Sequence, residues 1–432
     1  MRRYVWADLD EAGRDSALAR PEMISDADLL ARVQAILDDV KARGDAALAD
    51  YTRRFDTGAE VTLRVPDAEL EAAWAALPSE DKAVIERARR NVKAFHAAQM
   101  PEDVEVETEP GVVCRREVRA IETAGLYVPG GTAPLVSTLI MLATPAKVAG
   151  CRRRVVVTPP GPDGTVNPVI LAAAYRCKVT DVFAVGGAQA IAALAYGTET
   201  IPRCDKIFGP GNAYVAAAKS LVSSAPGGPA IDMPAGPSEA MVLCDSKSDP
   251  DFVASDLLSQ AEHDTVAQVV CVSCCPSMAE QVEAAVGRQV VRLSRHNIAK
   301  AALEHGRMIV ADNRADLVDI VNSYAPEHLI VQTDQPDTLV PAIRNAGSIF
   351  LGPWTPESVG DYASGTNHTL PTNGAARAYS GITLDSFLKY VSVQKLTKRG
   401  LKSLGPTVER LAEMEGLDAH RNAVTLRLEA MQ

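Results

Sequence analysis

RVVVTPPGPDGTVNPVILAAAYRCKVTDVFAVGGAQAIAALAYG (154–197) holds the pattern that decides the fold. Arg154-Val-Val-Val-Thr158 is a short β-branched run, and Pro168 to Tyr175 is an alanine-rich helical stretch. Asp181-Val-Phe-Ala-Val185 is a second strand and Ala188 to Tyr196 a second helix. The next repeat pairs the strand Lys206-Ile-Phe208 with a helix from Asn212 to Leu221. Repeated strand–helix units give a parallel sheet with helices on its faces.

The alternation resumes after Gly236-Pro237. Strands are predicted at 240–244, 268–273 and 307–311 and near 329–332 and 348–351, with helices at 251–263, 277–288 and 314–322. The chain is therefore α/β, with two Rossmann-like parallel-sheet domains and ligands in a cleft that the strand ends face. Upstream, Leu29, Leu30, Val33, Ile36, Leu37 and Val40 recur at helical spacing, with Ser25 or Asp26 as cap and Gly44 as stop. Residues 67–76 and 79–99 also read as helices, making an N-terminal helical subdomain that ends in the acidic stretch from Pro101 to Gly111. Past Gly381 the mostly helical C-terminal tail is too short to bury a core alone, so it is expected to pack on something else, such as a second subunit. The predicted divisions are 1–111, 112–236, 237–380 and 381–432.

With 432 residues, two or more domains are expected. Apolar content of 47% and charged content of 23% are those of a soluble globular chain. A net charge of −11 disfavours nucleic acid, which demands a basic face. Arg152-Arg153-Arg154 reads as a solvated turn before a strand. The opening MRRYVWADLDEAG lacks a signal-peptide core, and no apolar run is long enough to span a bilayer, so a cytoplasmic location is expected. Eight cysteines are scattered through the chain. The CxxC at Cys271 and Cys274 has no second pair at zinc-ribbon spacing and continues an apolar run, so it reads as buried strand.

Four of the seven histidines fall in short polar segments far apart in the chain. Gln260 and His263 lie three apart near a predicted helix end and share a face, as metal ligands or as a surface helix end with a capping histidine. Asp361 stands in a Gly/Ser/Thr/Asn-rich loop, as an anionic ligand or an ordinary turn carboxylate. His420, behind Glu415, would complete an N/O set or remain a solvated tail residue. Such a set, with one neutral amide, would hold a metal softly enough to admit substrate atoms. Glu327-His328 is an adjacent acid/base pair, or two exposed polar residues in a turn. Val185-Gly-Gly-Ala-Gln-Ala190 and Gly209-Pro-Gly-Asn-Ala-Tyr214 are glycine-rich turns before helices. They suit phosphates or close helix–strand packing, and neither matches GxGxxG. Gly125-Leu-Tyr-Val-Pro-Gly-Gly131 adds a loop where Tyr127 could stack on a flat ring.

Together these segments resemble the histidinol dehydrogenase family. The likeness runs in order through GLYVPGGTA (125–133), TPAKVAG (144–150), VGGAQAIAALAYGTETI (185–201), KIFGPGNAYVAAAK (206–219) and IDMPAGPSE (231–239). It continues through DLLSQAEHD (256–264), APEHL (325–329), NAGSIFLG (345–352), GDYASGTNHTLPT (360–372) and AEMEGLDAH (412–420). The resemblance implies oxidation of L-histidinol to L-histidine through L-histidinaldehyde, the last step of histidine biosynthesis, with two NAD consumed and one zinc per site. It implies zinc on Gln260, His263, Asp361 and His420, with His328 as general base and Glu327 as the group that activates water. Substrate contacts fall on Ser238, Gln260, His263, His328, Asp361, His368, Glu415 and His420. NAD contacts fall on Tyr127, Gln189 and Asn212. The resemblance further implies an intertwined homodimer whose tail carries Glu415 and His420 into the partner's site.

Other readings are a zinc/NAD dehydrogenase of another primary alcohol, a zinc hydrolase with Glu327 as base, and a two-lobed solute-binding protein. The imidazole-suited Glu415 and His368 speak against the first, the glycine-rich turns against the second, and the acid/base pair against the third. A cysteine nucleophile is disfavoured because no cysteine adjoins a motif histidine.

Overall fold

The computed structural model describes residues 1–21, 27–130, 134–234 and 236–431. The proposed caps Ser25 and Asp26, and Gly131 of the tyrosine loop, lie outside the described residues.

The stretch 154–197 folds into the strand–helix repeat that its pattern predicts. Arg153–Thr158 (β5) and Asp181–Ala184 (β6) pair in parallel, Val155 opposite Asp181, and helices Pro168–Cys177 and Gly187–Tyr196 follow them. Thr123–Tyr127 (β4), Lys206–Phe208 (β7) and Ala230–Ile231 (β8) complete a five-stranded parallel sheet in the order β6-β5-β4-β7-β8. The chain steps outward from β4 through β5 and β6, then returns to β4's other side for β7. That reversal parts the loops at the carboxyl ends of β4 and β7 and opens a crevice there.

Gly209, the first residue past β7, has φ +121°, and a Cβ on it would lie 2.1 Å from the carbonyl oxygen of Tyr127. Positive φ and close backbone approach together demand glycine. A buried ion pair fixes the same turn. Asp232 accepts the Gly209 N–H at 2.8 Å, Lys219 donates to the Gly209 carbonyl at 2.9 Å, and the two side chains pair with each other.

The second sheet has six parallel strands in the order β1-β11-β10-β9-β12-β13. They are Arg2–Val5 (β1), Glu239–Cys244 (β9), Gln268–Ser273 (β10), Arg307–Val310 (β11), His328–Val331 (β12) and Ser348–Leu351 (β13). Val269-Val270-Cys271-Val272 is wholly buried, as expected of a strand covered on both faces. Helices Pro250–Ala261 and Pro276–Val290 pack on one face with Val253, Leu257, Val282 and Val286. Helix Arg314–Tyr324 covers the other with Leu317, Ile320 and Val321. The helix His296–His305 was not read from sequence; no side chain caps its start.

The N-terminal region serves both sheets. Strand β1 adds an edge to the second, with Tyr4 opposite Ile309. Helix Ala27–Arg43 joins the core of the first, where Val33, Leu37 and Val40 cluster with Ile191 and Leu194.

Met1–Gln99 and Glu122–Phe387 make one compact unit; Met100–Ile121 and Leu388–Gln432 make another. The second holds a three-stranded antiparallel sheet of Val104–Glu109 (β2), Val112–Ala120 (β3) and Leu388–Leu396 (β14), with β3 central. It also holds helices Lys398–Met414 and Asp418–Glu429. The acidic stretch predicted as a boundary is thus largely strand, and the helical tail opens with a strand. Among the described residues no helix is long and apolar enough to cross a membrane.

Lys219→Met leaves Asp232 buried without its cation. Urea titration is expected to show a loss of about 3–5 kcal/mol, the usual cost of orphaning one member of a buried pair. Lys219→Met/Asp232→Asn should recover part of it; a single variant as stable as the parent would refute the structural role.

Candidate active site

Polar groups of the second sheet gather at the amino ends of its strands. Glu239 opens β9 and His328 opens β12, and the two strands are neighbours with His328 opposite Ala240. The Glu239 N–H donates to the Glu327 carboxylate at 2.9 Å, and the Glu239 carbonyl lies 3.3 Å from His328 Nδ1. A carbonyl can only accept, so Nδ1 carries a proton and Nε2 is the ring atom left for chemistry. Glu327 and His328 are 5% and 4% exposed, which excludes a solvated turn.

The pair's surroundings are acidic. His328 Nδ1 is 3.6 Å from Glu327, and Nε2 is 3.4 Å from Asp361 without a hydrogen bond of good geometry. Burial alone would lower the imidazole pKa. The charges of Glu327 and Glu357 and the contact with Asp361 outweigh it and hold the ring well above its ordinary range. Burial likewise favours a neutral Asp361, but His328, with the more distant His368 and His263, draws its carboxyl below the ordinary value.

Helices deliver the remaining groups. Gln260 sits in the last turn of Pro250–Ala261, fully buried, and neither its amide oxygen nor its nitrogen has a hydrogen-bond partner. His263 follows just past the helix end and is exposed. Asp361 is not in a loop, as its Gly-rich neighbourhood suggests, but in the last turn of the short helix Glu357–Tyr362. Its backbone carbonyl accepts from His368 Nδ1 at 2.9 Å, and His368 Nε2 meets the Thr138 hydroxyl at 2.9 Å. Both nitrogens of His368 are thereby engaged within the protein, and burial holds the ring below its usual pKa. Asn367 donates to the Met141 carbonyl at 2.6 Å. Thr138 and Met141 lie in helix Val136–Ala149, which follows β4, so these contacts join the crevice of the first sheet to the amino edge of the second.

Glu357 was not read from sequence. It is 1% exposed; one carboxylate oxygen accepts from Ser259 at 3.2 Å and the other has no partner. Burial pushes its carboxyl up to about 8, against the opposing charge of His328. Its four-residue spacing to Asp361 puts both carboxylates on one helical face, a signal hidden while the segment reads as a loop.

Among the described residues, His328, Glu357 and Asp361 form a group whose ligand atoms all lie within 4.8 Å of one another. Of the sequence-predicted metal set, only Asp361 belongs to it. Nitrogen and carboxylate oxygen are zinc donors. The unpartnered atoms of Gln260, His328 and Glu357 are what a site awaiting a cation or polar ligand would present. The residues fit a metal.

On the first sheet, Tyr127 ends β4, buried, with its hydroxyl accepting from the Gly187 N–H at 3.2 Å; burial pushes that hydroxyl up to about 12. Gln189, in helix Gly187–Tyr196, is 2% exposed and its amide nitrogen has no partner. Exposed Asn212 caps helix Ala213–Ser224 through the Tyr214 and Val215 N–H groups. All three stand at the carboxyl edge near the chain reversal, where a dinucleotide would bind. Ser238 is half-buried immediately before β9. Glu415 caps the end of helix Lys398–Met414 and His420 lies in the first turn of Asp418–Glu429; both are exposed and both belong to the second unit. Cys271 is buried in β10 as predicted, and its contact with Cys244 together with burial raises its thiol pKa, so it is a poor nucleophile.

The profile of the histidinol dehydrogenase family matches residues 19–428. A histidinol dehydrogenase of Vibrio parahaemolyticus is 50% identical over 431 residues, covering 100% of this chain and 99% of that protein. One from Vibrio cholerae is 51% identical over 432 residues, again 100% of this chain and 99% of the relative. The crystal structure of histidinol dehydrogenase from Elizabethkingia anophelis superposes with a TM-score of 0.95 at 44% identity, covering 100% of this chain and 98% of that one.

Glu357 makes a pH-dependent prediction for chelator-treated protein. Its native carboxyl ionises near 8 rather than 4.5, so the folded chain holds the extra proton between those values. This group's contribution to stability is therefore greatest at low pH and lost as pH rises through that window. Thermal melts should show Glu357→Gln gaining on the parent from pH 5 to pH 8.5. A difference that stays constant with pH would contradict the assignment.

Proposed function

The chain belongs to the histidinol dehydrogenase family, and from that premise we propose that it oxidises L-histidinol to L-histidine in two steps, with L-histidinaldehyde between them. The observation that carries the reading is the buried imidazole of His328. Its Nδ1 is anchored on a carbonyl, its Nε2 is unpartnered, and the carboxylates of Glu327, Glu357 and Asp361 surround it.

His328, once it has given up its own Nε2 proton, accepts the hydroxyl proton of histidinol there as the alcohol carbon is oxidised. Glu327, fixed by the Glu239 N–H, takes a proton from the water that adds to the aldehyde. His328, having released the first proton to solvent, then accepts the proton of the hydrated aldehyde as the carboxylate forms. The balance is four electrons removed and one water consumed. NAD bound at Tyr127, Gln189 and Asn212 would supply the hydride acceptor for each oxidation. Zinc held by Gln260, His263, Asp361 and His420 would supply an anchor for the substrate's ring and amine nitrogens, and positive charge that offsets the carboxylates around His328. Ser238, His368 and Glu415 would complete the contacts to substrate. His368 also holds the Asp361 carbonyl with its ring.

The proposed assembly is a homodimer in which Glu415 and His420 serve the partner's site, and the proposed setting is histidine biosynthesis in the cytoplasm. The acidic chain and the lack of a membrane-length helix among its described residues are compatible with that.

Turnover should yield two NADH per histidinol, and a chelator should abolish it; one NADH, or chelator-resistant turnover, would refute the scheme. His328→Gln should cut kcat roughly 100- to 10,000-fold, the span expected for lost general base help, with metal content unchanged. Glu327→Gln should slow oxidation of the aldehyde more than oxidation of the alcohol, measured separately with each substrate. Equal losses would assign Glu327 another role.

A further inference from the structure

The main chain of Glu239 holds both acid/base side chains, so whatever fixes Glu239 fixes them. Its side chain is 3% exposed and meets Arg20 in a two-armed ion pair, Nε to Oε2 at 2.6 Å and Nη2 to Oε1 at 2.9 Å. Arg20 comes from the N-terminal segment, more than two hundred residues away in sequence. The same Nη2 donates to the carbonyl of Tyr324 at 2.7 Å and approaches that of Ala325 at 3.4 Å. Those carbonyls end helix Arg314–Tyr324, immediately before Pro326-Glu327-His328. Ala325 has φ +56°, a left-handed conformation that a residue with a Cβ adopts at a cost. A cation bonded to the carbonyls of that turn stabilises it.

Tyr324 completes the assembly. Its ring lies under the Arg20 guanidinium at 3.9 Å, and its hydroxyl is 3.0 Å from Glu239 Oε2 and 2.7 Å from Gln268 Oε1. Gln268 is in turn oriented because its amide nitrogen donates to the Ala19 and His305 carbonyls.

We propose that Arg20 is a positioning residue for the reaction: its guanidinium clamps the Glu239 carboxylate and the turn at Tyr324-Ala325, and so sets the Glu239 N–H and C=O that orient Glu327 and His328. This rests on reading Glu327 and His328 as the acid/base pair. A planar fork is required, because two bonds to one carboxylate and a third to a carbonyl leave in three fixed directions. Lysine offers a point charge instead.

The test uses the zinc-loaded enzyme with Arg20→Lys and Arg20→Ala. Steady-state kinetics should show kcat reduced about 10- to 100-fold, the scale of a small misplacement of catalytic groups, with KM for histidinol within about two-fold and bound zinc unchanged. In ¹⁵N-histidine NMR the His328 Nδ1–H signal, identified by its loss in His328→Gln, should shift or disappear in both variants. A folded Arg20→Ala with kcat within about two-fold of the parent, a change confined to KM, or an unmoved His328 signal would each overturn the proposal. If Arg20→Ala does not fold, Arg20→Lys, which keeps a positive charge beside Glu239, is read by the same criteria. Unimpaired turnover by His328→Gln would instead sink the acid/base reading, while the NMR comparison would still report whether Arg20 orients that ring.

Discussion

Parallel pairing of β9 with β12 is the constraint from which the site follows. It sets His328 opposite Ala240, which puts the Glu239 carbonyl beside one ring nitrogen and the Glu239 amide beside the neighbouring carboxylate. A slip of one residue would turn both acidic and basic side chains to the opposite face of the sheet. The apolar runs buried on both sides of these strands forbid that slip, because they contribute the core on each face. The chemistry is thus held in place by packing that has no chemistry of its own.

The electrostatics run against ordinary burial. One imidazole and three carboxylates are buried together; burial raises the proton affinity of Glu357, and the surrounding carboxylates raise that of His328. Such an arrangement is costly without a compensating cation. The unpartnered amide of Gln260 has the same character, since a buried polar group normally finds a partner. A chain selected for stability alone would not keep these groups together.

Much of this was legible in the sequence, for reasons that differ by element. Most strands of the two parallel sheets announce themselves as short apolar runs between helices, and 268–273 is read to the residue, whereas Thr123–Tyr127 (β4), the central strand of the first sheet, runs into a segment read as a loop. Strand β1 is too short and too exposed to show a pattern, and its partner lies some three hundred residues on. β14 likewise meets its partner β3 only across a long stretch of chain, β2 pairs with β3 as a neighbour, and much of the surface of β2 and β14 is exposed, which hides their alternation. Within the site, Gln260, Glu327, His328 and Asp361 were singled out as polar residues in short segments, each with an ordinary structural alternative, and only the family resemblance gave them roles. Glu357 and Arg20 were not. A glutamate after Pro356 and an arginine before Pro21 look like ordinary surface residues until the fold buries one and pairs the other.

His368 spans two parts of the molecule with one ring, meeting Thr138 on one side and the Asp361 carbonyl on the other. Helix Val136–Ala149 cannot shift at its start without pulling on the turn that carries Asp361. A chimaera importing a foreign first-sheet half must therefore carry Thr138 and Met141 across the splice as well, or its seam will cut through the joint between that half and the turn of Asp361.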